Sequence, residues 1–482
     1  MPVINTYGYN YIEGAAEMLR LFYGYANQVS ENRSEANSDT IIINSRVIDL
    51  NDAQADYIIV ETDCTGLNSV RTEVKREKFR REIKRQLYCQ LELLTDIHFP
   101  WGSLTGVRPT QIIFESFVLC EYNNSKTIDY LTDYWRLSPA KAELGLETAI
   151  AEQGIMSKLD KNDLLVYAGV PFCPGRCSYC SFISRDAFRQ ADWLEPYADT
   201  VVLEAKLVFE QIKRPVSALY LGGGTPTSLP DGAFARLLEG LVKYVPLKQG
   251  AEWTVEAGRP DTISKTKLDL IRQAGANRIC INPQTMNDET LRRIRRNHTA
   301  AQTVEAFEMA REAGFSHINM DLIAGLPGES PEQLLKSLNE LLMLGPESIT
   351  IHTLALKRSS HLQEQSQEAV RLLHLPQAEL SAVIEEAGSR LRENDFYPYY
   401  LYRQKEVAGG LENTGFARPG QACVYNVAMM SDRFDVIGLG SGAISKRVDG
   451  TRVKRSPNSK DLLNYQQRIE ELAHRKIDLF IQ

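Results

Sequence analysis

Between residues 163 and 356, short apolar runs alternate with amphipathic stretches, and this alternation limits the fold more than any other feature of the chain. The apolar runs fall at 164–170, 217–222, 252–257, 278–282, 317–323 and 348–355. Each has the length of a strand, and the segments between them (192–212, 232–243, 261–274 and 331–344 among them) carry apolar residues at the helical period. Six strand–helix repeats build a parallel sheet with helices outside it, and right-handed crossovers curl such a sheet. Six units are fewer than the eight that close a barrel, so the expected fold is α/β, a partial (β/α)6 barrel open on one side. An open side suits a substrate larger than a simple metabolite.

The flanks differ from this core. Residues 1–158 hold strand-like runs at Thr40-Ile41-Ile42-Ile43-Asn44 and Ala55-Asp56-Tyr57-Ile58-Ile59-Val60. A basic helix follows, in which Phe79, Ile83, Leu87 and Leu91 recur every four residues, then a Gly- and Pro-punctuated loop and further helical patterns. This reads as a small N-terminal α/β domain before a barrel over 159–360. Residues 361–482, with a long helix near 376–394, Tyr399-Tyr400-Leu401-Tyr402 and a glycine-rich segment, read as a separate C-terminal cover domain. The chain has 482 residues, 43% of them hydrophobic, enough for two or three globular domains. Its net charge of −7 disfavours nucleic acid or an anionic membrane as a general partner, and the basic face of the helix reads as a solvated surface. No apolar run approaches the roughly 18 residues of a membrane span. The first residues lack a charged leader and an apolar core, so the expected location is cytoplasmic.

The chemistry concentrates in Pro171-Phe172-Cys173-Pro174-Gly175-Arg176-Cys177-Ser178-Tyr179-Cys180, at the carboxyl end of the first core strand. The chain has eight cysteines, and the five outside this run are scattered singly, so the C-x₃-C-x₂-C group stands apart. Three thiolates can hold three corners of a four-iron cube and leave the fourth iron open. A structural zinc site normally has four ligands, and no second cysteine pair or nearby histidine supplies the fourth. Buried cysteines acting as small apolar side chains are the plainer alternative. Reactive groups of β/α barrels gather at the strands' carboxyl ends, where this loop sits.

The second core strand runs into Leu221-Gly222-Gly223-Gly224-Thr225-Pro226-Thr227, a loop that lets a ligand approach the backbone. It lacks the lysine of a phosphate-binding P-loop and the G-x-G-x-x-G spacing of a dinucleotide site. Together, the cysteine and glycine motifs resemble the radical S-adenosylmethionine (SAM) superfamily. The resemblance implies a radical SAM barrel in which Cys173, Cys177 and Cys180 hold a [4Fe–4S] cluster and the open iron chelates SAM. One electron then cleaves SAM to methionine and a 5′-deoxyadenosyl radical that abstracts hydrogen from an unactivated C–H bond.

The run 163–356 further resembles the oxygen-independent coproporphyrinogen III oxidase (coproporphyrinogen dehydrogenase) family. The extensions, at Thr105–Thr110, His352–Arg358 and Tyr400–Lys405, resemble its HemZ-type branch. By that resemblance Tyr167, Tyr179, Gly223, Gly224, Thr225 and Glu256 contact SAM, while Gln284, Arg296 and Asp321 match positions that bind a second SAM. Ala355 and Ile444, the latter in Gly438-Leu439-Gly440-Ser441-Gly442-Ala443-Ile444-Ser445, fall at further matching positions. Taken singly, Glu256 or Asp321 reads as a strand-end carboxylate, and His352 as a hydrogen-bonded core histidine. The implied reaction belongs to anaerobic haem biosynthesis: two propionate side chains of coproporphyrinogen III become vinyl groups, giving protoporphyrinogen IX. Arg403, Lys405 and Arg108 are candidates for the substrate's carboxylates. A flavodoxin or ferredoxin is the implied electron donor, and one SAM or two the implied complement.

One position departs from the family pattern. The oxidases carry a further cysteine two residues after the third ligand, where this chain has Phe182. A related branch with phenylalanine there works as a haem chaperone. A haem-binding chaperone on the same scaffold, or another radical SAM reaction on a tetrapyrrole, therefore stands beside the oxidase reading.

Overall fold

A computed structural model describes residues 3–9, 11–23, 29–30, 41–49, 56–180, 185–355, 377–404, 410–450 and 452–481. The chain divides into two compact units, Met1–Leu146 with Gly409–Leu411, and Glu147–Ala408 with Glu412–Gln482.

The first unit has a sheet of β1 (Val3–Tyr7), β2 (Val29–Ser30), β3 (Ile42–Asp49), β4 (Tyr57–Cys64) and β5 (Val70–Lys75), in the order β2-β1-β3-β4-β5. β1 is parallel to β3, and β3, β4 and β5 form an antiparallel meander. The helix Phe79–Thr95 presents Ile83, Leu87 and Leu91, all fully buried, to a core that includes Ile4, Leu19, Ile43 and Val60. This is the four-residue stripe read from the sequence. Its basic residues are largely occupied: Arg81 pairs with Glu115 at 2.6 Å, Lys84 with Glu17 at 2.7 Å and Arg85 with Glu82 at 2.6 Å.

The second unit is built on one sheet. Six strands follow in sequence: β6 (Leu164–Val170), β9 (Val216–Gly223), β10 (Leu247–Glu256), β11 (Arg278–Cys280), β12 (Ile318–Ala324) and β13 (Ser348–Thr353). Each is parallel to the next. Two short strands, β7 (Phe172–Cys173) and β8 (Arg185–Asp186), lie in the loop between β6 and β9. Strands covered on both faces are apolar throughout, and Leu164, Leu165, Val166, Ala168 and Val170 of β6 are all buried. Among the helices between strands are Ala191–Gln211, Asp231–Tyr244, Lys265–Gln273, Ala300–Glu312 and Pro331–Leu344. The last has a capping box between Ser330 and Gln333, proline in its first turn and Gly345 in the left-handed conformation at its end. Its buried face is Leu334, Leu338 and Leu341.

The C-terminal quarter differs from the expected separate cover domain. β14 (Tyr397–Arg403) and β15 (Glu412–Ala417) extend the sheet beyond β13, with β15 antiparallel to β13. β16 (Asp435–Leu439) pairs in parallel with β6 and is followed by β17 (Ile444–Asp449) and β18 (Arg452–Pro457). Backbone pairing on both edges thus merges residues 412–482 with the barrel strands into one unit. An edge strand presents unpaired amides and carbonyls, and these additions satisfy them. The long helix expected near 376–394 spans Gln377–Glu393. Among the described residues, no helix is long and apolar enough to cross a membrane.

Candidate active site

The cysteine loop is fixed from several sides. Phe172 and Cys173 pair with Arg185 and Asp186, and the Ala187 amide donates to the Cys173 carbonyl at 2.8 Å. The Ser178 amide donates to the Ile294 carbonyl at 3.1 Å, and the Cys180 amide to the Cys177 carbonyl at 3.2 Å. Cys177 is buried; Cys173 and Cys180 are half-buried.

The glycine loop at the end of β9 packs backbone to backbone on this segment. The amide of Gly224 donates to the Val170 carbonyl and that of Thr225 to the Phe172 carbonyl, both at 2.7 Å. A Cβ on Gly224 would stand 2.5 Å from the Phe172 oxygen and 2.9 Å from the Val170 oxygen. Gly223 has φ +107°, a conformation that L side chains rarely adopt. This approach places the Thr225 hydroxyl 3.4 Å from the Cys173 sulfur. From the end of β10, the Arg259 guanidinium reaches the Cys177 sulfur at 3.7 Å.

Further strand residues supply acids and bases. Glu256, the last residue of β10, accepts from the Tyr220 hydroxyl at 2.6 Å and the Gly223 amide at 3.2 Å. Burial raises its pKa to about 7, against those two donors and with help from the Asp321 charge. Asp321 on β12 accepts from Asn319 Nδ2 at 2.7 Å and lies 3.5 Å from His352 Nε2 on β13. Burial opposes the charged form of His352, but Asp321 and Asn413 outweigh it and raise the imidazole's pKa. Gln284 has φ +73°, and its backbone bridges to β12: its amide donates to Asp321 and its carbonyl accepts from Ile323. Arg296 donates to the Tyr179 hydroxyl at 3.1 Å and to the carbonyls of Gly258 and Asn282.

Beneath these groups Tyr220 stacks on Tyr425 at 4.8 Å between centroids, and both stack on Tyr167 at 6.4 and 6.5 Å. Ala355 follows the end of β13, and Ile444 opens β17 with half of its surface exposed. Arg403 ends β14 opposite Glu412 and is buried, which sets it apart from a surface cation. Arg108 precedes the helix Pro109–Leu119 in the first unit. Lys405 and Phe182 lie outside the described residues.

The residues fit a cluster and a polar ligand. Cys173, Cys177 and Cys180 lie on one loop, none of them in a disulfide, and three thiolates on one loop are a ligand set that a four-iron cube accepts. Around the loop, Ser178 Oγ, Asn282 Oδ1, Gln284 Oε1, Arg296 Nε and both nitrogens of His298 are buried without a hydrogen-bond partner. Buried polar atoms are nearly always paired, and a ligand with several donors and acceptors would pair them. Sequence patterning did not single out Arg259, Tyr220, Tyr425 or His298. Arg259 alone carried a signal, since it lies three residues past the strand-end Glu256.

Comparison with known proteins agrees with this geometry. The pattern of the radical SAM superfamily matches residues 167–341. An oxygen-independent coproporphyrinogen-III oxidase-like protein, HemZ, of Bacillus subtilis (strain 168) is 35% identical over 434 residues, 86% of each chain. The heme chaperone HemW of the same organism is 30% identical over 289 residues, covering 59% of this chain and 71% of the relative. Among solved structures, the Escherichia coli coproporphyrinogen III oxidase HemN, a radical SAM enzyme, shares 26% identity with a TM-score of 0.52. That match covers 68% of this chain and 73% of the other.

Proposed function

We propose that this chain, which belongs to the radical SAM superfamily and within it to the oxygen-independent coproporphyrinogen III oxidase-like family, oxidatively decarboxylates propionate side chains of coproporphyrinogen III. The family's cofactors are a [4Fe–4S] cluster and SAM, and here Cys173, Cys177 and Cys180 would hold the cluster. Bound together, the two supply one-electron chemistry that removes a hydrogen atom from an unactivated carbon. The observation that carries the reading is the docking of the glycine loop on the cysteine loop, with Glu256 closing its far side.

The chain's own residues bind and orient. The amides of Gly223, Gly224 and Thr225 are spent on Glu256 and on the cluster loop, which fixes the glycine loop and leaves the Thr225 hydroxyl beside the Cys173 sulfur. Glu256, with its pKa near neutrality, is a carboxylate that an approaching ammonium group would pull into its charged form. Tyr167, Tyr220 and Tyr425 stack on one another and pack into an apolar core beside Glu256, which keeps water from that side of its carboxylate. Tyr179, Gln284, Arg296, Asp321, Ala355 and Ile444 complete the set proposed for SAM contact, with Gln284, Arg296 and Asp321 the proposed contacts of a second molecule. Each reacting propionate would give up one hydrogen atom from its β-carbon to the SAM-derived radical, carbon dioxide to solvent and one electron to an external one-electron acceptor, and a vinyl group remains. Arg403 and Lys405 are the proposed partners of the substrate's carboxylates, with a flavodoxin or ferredoxin as electron donor.

The second reading is a haem chaperone. Phe182 in place of the oxidases' additional cysteine favours it, as does the likeness to HemW. Anaerobic incubation of the reconstituted protein with SAM, a reductant and coproporphyrinogen III separates the two. Vinyl products with substrate-dependent 5′-deoxyadenosine support decarboxylation. Neither product from a cluster-loaded protein, together with stoichiometric haem binding and transfer, would replace it with the chaperone.

A further inference from the structure

Arg259 plays no part in the assignments above, yet it sits against the cluster loop in an unusually constrained setting. Its guanidinium is 4% exposed. One face forms a two-pronged pair with Asp261, Nε to Oδ1 at 3.0 Å and Nη2 to Oδ2 at 2.8 Å. The remaining nitrogen, Nη1, points the other way and donates to the Gly175 carbonyl at 3.3 Å and to the Cys177 sulfur at 3.7 Å. The planar fork makes this arrangement specific to arginine: a carboxylate locks two nitrogens and thereby aims the third. The loop that carries Arg259 is itself tied down. Thr262 Oγ1 donates to the Arg259 carbonyl at 2.9 Å and meets Thr227 Oγ1, on the loop after β9, at 2.7 Å.

We propose that Arg259, aimed by Asp261, is a tuning and positioning residue that raises the reduction potential of the cluster held by Cys177. A hydrogen bond to a ligating sulfur draws electron density from the thiolate, and hydrogen bonding to the sulfurs is one of the factors that set cluster potentials. A buried positive charge also favours the more negative, reduced state of the cluster. Both effects act in one direction. Arg259 therefore makes the cluster easier to charge with an electron from a modest donor. The proposal rests on the cluster assignment and is independent of which tetrapyrrole is the substrate.

The test is an anaerobic potentiometric titration of the reconstituted protein, followed by the electron paramagnetic resonance of the reduced cluster. Arg259→Gln is expected to retain the wild-type iron and sulfide content while its reduction equilibrium falls about tenfold, a drop of about 59 mV for one electron. Arg259→Lys, which keeps the charge and loses the fork, should recover part of that drop. If Arg259→Gln fails to hold the cluster, the readout passes to Arg259→Lys, which keeps the positive charge but loses the aimed Nη1 donor and should lower the potential by less. A cluster-loaded Arg259→Gln, or failing that Arg259→Lys, with the wild-type potential would overturn the proposal while leaving the cluster in place. A wild-type protein that takes up no cluster would instead remove the assignment on which it rests.

Discussion

Gly224→Ala tests the close approach of the two loops. The added methyl would lie 2.5 Å from the Phe172 oxygen, 2.9 Å from the Val170 oxygen and 3.0 Å from the Phe172 carbonyl carbon, all of them backbone atoms. No side-chain rotation relieves such contacts, so the glycine loop and the β6–β7 segment must separate. Overpacking of this kind costs about 1–3 kcal/mol. The separation also strains the two 2.7 Å bonds from the amides of Gly224 and Thr225, each worth about 1 kcal/mol net. A loss of about 2–4 kcal/mol follows, readable as a lowered midpoint in urea denaturation. The same movement carries Thr225 away from the Cys173 sulfur, so SAM affinity measured by equilibrium dialysis should fall at least about tenfold. Gly175→Ala is the control. Gly175 is two residues from both Cys173 and Cys177, yet nothing lies within 4 Å of its added Cβ. Its stability should stay within about 0.5 kcal/mol of wild type, with the cluster retained. A Gly224→Ala protein as stable as wild type with undiminished SAM affinity would refute the argument, as would a Gly175→Ala protein equally damaged.

Two further predictions concern buried charge. Glu256 has a folded pKa of about 7, above the ordinary 4.5, so the native state binds the extra proton and the group's contribution declines as pH rises between those values. Relative to Glu256→Gln, ligand-free wild type should therefore lose about 3 kcal/mol of stability from pH 4.5 to pH 7; parallel curves in paired denaturation series would contradict this. Lys476 and Glu204 form a fully buried ion pair, and Glu204 also accepts from the Gly440 amide at 2.8 Å and the Tyr465 hydroxyl at 2.6 Å. Lys476→Met should cost about 3–5 kcal/mol by leaving the carboxylate without its cation. Adding Glu204→Gln should restore much of that loss, and strictly additive effects in the double variant would deny the coupling.

The barrel was legible because its strands are covered on both faces and its helices on one. The two coverings leave different periods, and the runs at 164–170 and 331–344 fall on the observed elements to the residue. What the period cannot carry is a partner. Asp435-Val436-Ile437-Gly438-Leu439 is a five-residue run in a glycine-rich stretch, and nothing local says that it pairs with Leu164–Ala168, some 270 residues earlier. The same limit hid the pairing of β15 with β13, so the C-terminal quarter reads from sequence as a separate domain. The cysteines and glycines stood out because their chemistry requires fixed spacing. Arg259 did not, since its role depends on Asp261 and Cys177 converging from two loops. Gln284 follows the turn dipeptide Asn282-Pro283, but the bonds to β12 that hold its left-handed conformation are provided only by the folded sheet.

The central claim is that Cys173, Cys177 and Cys180 hold three irons of a [4Fe–4S] cluster whose fourth iron binds SAM. The most direct measurement is electron paramagnetic resonance of the anaerobically reconstituted, reduced protein before and after SAM is added, with Cys177→Ala alongside. The account predicts a cluster signal in the wild type that changes on SAM addition, and none in Cys177→Ala. A wild-type signal indifferent to SAM, or an unaltered signal in Cys177→Ala, would contradict it.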